Sequence, residues 1–76
     1  MRLSDLQDKD IINVVDGKNV GNIIDALIEE DGRISKIIVE PSRSFRNIMN
    51  VGKEVEIPFK SITKIGEDVI LVDISV

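Results

Sequence analysis

Apolar and polar positions along the chain fall into short runs closed by turn residues. Ser4 and Gln7 stand three apart near the start, the spacing at which two side chains satisfy backbone N–H groups at a helix N-terminus. One helical turn is predicted there, with Leu3 and Leu6 as its core contacts. The apolar run 11–15 is followed by Asp16-Gly17, which tolerates the positive φ angles of tight hairpins and predicts a first strand turning into a second. Residues 20–28 are ambiguous by periodicity. Val20, Ile23, Ile24, Leu27 and Ile28 recur at helical spacing, yet Gly21 stands at the beginning and no Ser, Thr or Asp is placed to cap a helix. As a strand, the same segment puts Ile24, Ala26 and Ile28 on one side and Ile23 and Leu27 on the other, which requires both faces to be buried, as in a small closed barrel.

Beyond the Asp31-Gly32 turn, "RISKIIVEP" reads as a third strand ended by Pro41, forming a long hairpin with the second. "EVEIP" alternates, with Val55 and Ile57 inward and Glu54 and Glu56 outward, and Pro58 stops it. A turn over 59–62 that takes Phe59 into the core, a strand at 63–65, a tight turn at 66–68 and a last strand at 69–74 complete six short strands. Fourteen Ile and nine Val against four Leu and one Ala favour pleated sheet, where branching at Cβ costs little. The 76 residues make one domain, 1–76. A chain of this size hides only about 60% of its unfolded surface, which leaves little room for a deep catalytic cleft.

Charge and missing residue types narrow the function. The net charge of −4 is unevenly spread: residues 1–40 hold nine acids and five bases, whereas 41–64 hold five bases and two acids. Overall acidity disfavours nucleic acid as a partner, because phosphate binding draws on several Lys and Arg side chains to displace counterions. The chain has no cysteine and no histidine, so it lacks disulfides, thiolate metal sites and the usual activated nucleophiles. Ser61, beside Lys60 and three residues before Lys64, reads as a turn-forming hydroxyl rather than as half of a Ser–Lys pair. Glu29, Glu30 and Asp31 precede a hairpin glycine without the alternating ligand order of a calcium loop, and read as a solvated turn with at most weak affinity for a divalent cation. No cofactor is expected. The N-terminal residues lack the apolar run of a signal peptide, and no stretch approaches the ~20 apolar residues that span a bilayer, so no membrane insertion and a cytoplasmic location are expected.

The opening "MRLSDLQDKDIINVVDGKNVGNIIDALIEEDG" and the ending "EVEIPFKSITKIGEDVILVD" resemble the PRC-barrel superfamily, and within it the small sporulation-associated YlmC/YmxH branch. The resemblance covers nearly the whole chain and is most specific in the "IP(aromatic)xxIxKIGxDVILVD" ending. It implies an all-β fold, a small six-stranded PRC-type β-barrel with one short N-terminal helical turn, in which 20–28 are a strand and Pro58 and Phe59 end another. It also implies a docking module rather than an enzyme. Members include the cytoplasmic domain of the photosynthetic reaction-centre H subunit and the C-terminal domain of a ribosome maturation factor, and no catalytic residues carry over.

The stretch "PSRSFRNIMNVGKEVEIP" is the candidate site. It reads as a long loop between strands and sets Phe45, Ile48, Met49 and Val51 among Arg43, Arg46 and Lys53. Its apolar groups could fold over an open end of the barrel, stay exposed as a contact surface, or remain disordered. As a surface, the predicted partner-binding residues are Arg43, Phe45, Arg46, Ile48, Met49 and Val51, with Met supplying adaptable packing and Arg a polar rim. The partner is then another protein or a second copy, giving a homodimer. The alternative is an RNA- or ribosome-associated module in which Phe45 stacks on a base between two arginines.

Overall fold

The computed structural model, which describes residues 1–74, places a glycine of positive φ in the two predicted Asp-Gly turns, Gly17 at 72° and Gly32 at 92°. Around these turns the elements run α1 (Leu3–Gln7), β1 (Asp10–Asn13), β2 (Asn19–Ile28), β3 (Ile34–Pro41), α2 (Arg43–Met49), β4 (Val55–Pro58), β5 (Ile62–Ile65) and β6 (Val69–Val72). A 3₁₀ turn, Phe59–Ser61, joins β4 to β5. The six strands form one sheet in the order β4-β3-β2-β1-β6-β5, in which β1 and β6 are parallel and the other neighbours antiparallel. The fold is mostly β as predicted, but α2 is a second helix, and it falls in the predicted loop.

The strand order forces the sheet to curl. β4 and β5 are its two outermost strands, yet the 3₁₀ turn between them has only 3 residues. A flat sheet of this width would set its edges roughly 24 Å apart. The chain from Pro58 to Ile62 reaches at most about 15 Å. The sheet is therefore rolled into a barrel-like form, but β4 and β5 do not pair with each other. The closed barrel expected from the sequence is thus not closed by hydrogen bonds.

Rolling is accommodated by bulges, which bend a strand and increase its local twist. On β2, Ile23 stands opposite Val39 and Ala26 opposite Ile37, so two positions on the inner face are three residues apart rather than two. Val20 is the extra residue between the pairs Ile11–Gly21 and Ile12–Asn19, and it too is fully buried in the core. Val20, Ile23 and Ala26 therefore follow one another inward at three-residue steps, so of the apolar residues at helical spacing only Val20 and Ile23 lie in the core. Only the inner face is covered. Ile24, Leu27 and Ile28 are 40%, 46% and 68% exposed, which corrects the expectation that both faces of β2 are buried.

The core is Ile and Val from five strands, including Ile11, Val20, Ile37, Ile57, Ile70 and Val72, with Phe45 from α2 and Phe59 packed at the margin. At the N-terminus the predicted cap is displaced. Helix α1 begins at Leu3, the Asp5 carboxylate accepts the Arg2 N–H at 2.7 Å, and Ser4 lies inside the helix. Leu6 packs on the core as predicted, whereas Leu3 is exposed. β1 ends at Asn13, leaving Val14 and Val15 in an exposed turn rather than in the strand.

Two positions hold the rolled sheet in register. Asn13 is a buried polar residue with a partner for each side-chain polar atom: its Nδ2 donates to the Ile74 carbonyl (2.9 Å), and its Oδ1 accepts the N–H groups of Val15 (3.2 Å) and Ile74 (3.3 Å). It ties the β1–β2 turn to the segment after β6. Gly21, at φ 145°, lies so close to β3 that a Cβ there would sit 2.0 Å from the Glu40 carbonyl oxygen. Gly21→Ala is expected to cost about 3–5 kcal/mol by urea unfolding, from backbone strain plus overpacking. Asn13→Ala is expected to cost about 2–4 kcal/mol in the same measurement, because it leaves buried backbone groups without partners.

Candidate functional site

Helix α2 is built from its ends. The Ser42 hydroxyl accepts the Phe45 N–H at 3.2 Å, an N-cap, while donating to the Asn19 carbonyl at 2.8 Å. The Ser42 N–H donates to the Val20 carbonyl at 2.8 Å, so the helix start is bonded to the start of β2. At the other end Asn50 takes the left-handed conformation, φ 53° and ψ 43°, which asparagine tolerates and which stops the helix. With 7 residues the helix is far too short to persist alone in water. Packing of its inner face sustains it.

Phe45 and Met49, four apart on one face, point inward. Phe45 is only 4% exposed and belongs to the core, with Met49 and Val51 partly buried against that core. Ile48 is 56% exposed, and Arg43 and Arg46 lie on the solvent side. The six predicted contact residues thus divide into an anchoring set (Phe45, Met49, Val51) and an outward set (Arg43, Arg46, Ile48). Phe45 needs correction as a surface or base-stacking group, because its ring completes the core. Among the described residues the ion pairs are Arg33–Asp31 and Lys36–Glu56, which leaves Arg43 and Arg46 outside any ion pair. The helix had its signals in the sequence, namely Ser42, the Phe45–Met49 spacing and Asn50, but a pattern so rich in Ile and Val drew the stretch toward a loop between strands.

The other candidates occupy ordinary structural positions. Ser61 ends the 3₁₀ turn, and its carbonyl accepts the Asp73 N–H at 2.9 Å. Asp31 directs both oxygens at Arg33, to the backbone N–H at 3.0 Å and to Nε at 2.8 Å. Glu29, Glu30 and Asp31 line an open surface depression of about 590 Å³ at the hairpin tip, and among the described residues no acidic group is arranged to hold a metal ion. Among the described residues, no helix is long and apolar enough to cross a membrane.

A rolled six-stranded sheet with this strand order and a match of the PRC-barrel domain family over residues 1–76 define the class: the chain belongs to the PRC-barrel family. Its relatives confirm the branch. It is 40% identical over 74 residues to the probable sporulation protein YlmC of Bacillus subtilis (strain 168), a match covering 96% of this chain and 91% of that protein. It is 29% identical over 77 residues to the uncharacterized protein YmxH of the same organism, covering 97% of this chain and 89% of the relative.

The division of α2 into two faces is directly measurable. Phe45→Ala is expected to lower stability by about 3–5 kcal/mol, the cost of emptying an aromatic core position. Ile48→Ala is expected to stay within about 0.5 kcal/mol. Thermal unfolding followed by circular dichroism compares the two.

Proposed function

We propose that the chain is a non-enzymatic protein-interaction module, related to sporulation, that docks a protein through the outer face of α2 and the residues following it to Lys53. One observation carries this reading: a short helix whose inner face is anchored in the core by Phe45 leaves Arg43, Arg46 and Ile48 exposed around the rest of its circumference. The anchor makes the outer face a rigid platform, so little ordering cost attends binding. Ile48 offers an apolar contact, and the two guanidinium groups offer bidentate bonds to carboxylates. The complementary partner surface is therefore acidic, with an apolar group to meet Ile48. The link to sporulation comes from the similarity to the probable sporulation protein. The non-enzymatic assignment is supported by the lack of histidine and cysteine and by the docking role that the family resemblance implies. A cytoplasmic setting belongs to the same proposal. The alternative, an RNA-associated module, loses its stacking residue to the core and keeps only the two arginines.

Arg46→Glu combined with Ile48→Asp tests the surface without touching the anchor. The variant is expected to unfold at the wild-type temperature, because both side chains are exposed. Affinity capture with tagged wild type and variant then compares retained proteins. A partner held by wild type and lost by the variant supports docking through α2, whereas equal retention of every partner overturns it. Retained RNA whose amount falls steeply with salt would favour the alternative.

A further inference from the structure

We propose that the protein docked on α2 is a second copy of this chain, whose β2–β3 hairpin tip sets Glu29 and Glu30 against Arg43 and Arg46. The inference rests on the docking role of α2 and names its partner. β2 and β3 form a hairpin arm, and its tip carries Ile28, 68% exposed, followed by the exposed Glu29, Glu30 and Asp31. An acidic surface with an apolar group beside it, the complement of α2, is thus present on the chain itself.

The two surfaces are too far apart to meet within one molecule. Ser42, at the start of α2, is bonded to Asn19 and Val20 where β2 begins, whereas the tip follows Ile28 where β2 ends. A strand of this length sets them roughly 25–30 Å apart, in a molecule whose longest extent is 35 Å. A contact between helix and tip therefore joins different molecules.

The charges at the tip are available. Asp31 is committed to Arg33, but the Glu29 and Glu30 carboxylates enter no ion pair or hydrogen bond among the described residues. These three acids line the open depression at the tip, which has room for an incoming guanidinium. Near α1, by contrast, the Asp5 carboxylate is taken by the Arg2 N–H, and Lys9 lies among Asp8, Glu67 and Asp68, where it offsets their charge. On α2, Arg43 and Arg46 stand three apart and are neighbours on the helix surface, so one tip engages both. Bonds from guanidinium to carboxylate are charge-assisted and give the contact its orientation. Exposed ion pairs contribute little each, so the association is weak and is measured at up to about 1 mM.

Charge reversal at each surface tests the pairing. One variant carries Glu29→Lys with Glu30→Lys, and the other Arg43→Glu with Arg46→Glu. All four side chains are exposed, and circular dichroism is expected to show both variants folded. In sedimentation equilibrium the wild-type mass is expected to rise with concentration and to fall back as salt is raised. Each variant alone is expected to associate about tenfold more weakly, because like charges then face each other. An equimolar mixture of the two is expected to regain the wild-type association, since reversed tip meets reversed helix and native tip meets native helix. The single reversals Glu30→Lys and Arg46→Glu give the same pattern at smaller amplitude. Wild type that stays monomeric overturns the second copy as partner without touching the docking of another protein on α2, which affinity capture decides. Association that survives either double reversal, or a mixture that stays monomeric, also overturns the proposal, because the contact then lies elsewhere on the surface.

Discussion

The structure depends on a short connection. Only the 3 residues of the 3₁₀ turn separate β4 from β5, although these strands lie at opposite ends of the sheet order. The sheet must therefore bend until its edges approach, and other features serve that bend. Bulges at Val20 and Ile24 turn β2, and Gly21 lets β2 run against β3 where no side chain fits. Rolling also creates an interior that six short strands can fill with Ile and Val, a tolerable solution for a chain too small for a two-layer core.

A rolled sheet without hydrogen-bonded closure needs other fastenings. Asn13 supplies one, with three bonds joining the first hairpin turn to the segment after β6. Its burial is favourable because each polar atom is matched. Ser42 supplies another, bonded to Asn19 and Val20 at the start of β2 while capping α2. That bond couples the candidate docking helix to the bulged region of the sheet, so the outer face of α2 inherits the rigidity of the core. The candidate surface and the fold meet at one residue of the helix, Phe45: its ring is committed to the core, and the exposed Arg43, Arg46 and Ile48 surround it in sequence.

The family membership fits a module that acts by presenting surface. Little of the chain's small volume is spent on a cleft. What distinguishes one part of the exterior from another is the basic outer face of α2, on a chain of net charge −4, and the apolar arm of β2 and β3. The two differ in chemistry: the first combines basic groups with the exposed Ile48, and the second exposes Ile24, Leu27 and Ile28.

Much of the fold was legible in the sequence because it rests on local chemistry. Asp16-Gly17 and Asp31-Gly32 marked two hairpins, proline bounded two strands, and the alternation in "EVEIP" oriented β4. The candidate segment was legible as well, through its basic and apolar composition, but its internal division was not. Which of Phe45, Ile48 and Met49 faces inward depends on a helix that seven residues cannot hold without the sheet beneath it. The ambiguity of 20–28 has the same origin. Three-residue steps along a strand arise from bulges, and bulges are imposed by the roll, so the sequence by itself specified apolar spacing and turn positions. The sense of that spacing was decided by the tertiary structure, because only the pairing with β1 and β3 determines which residues share a face.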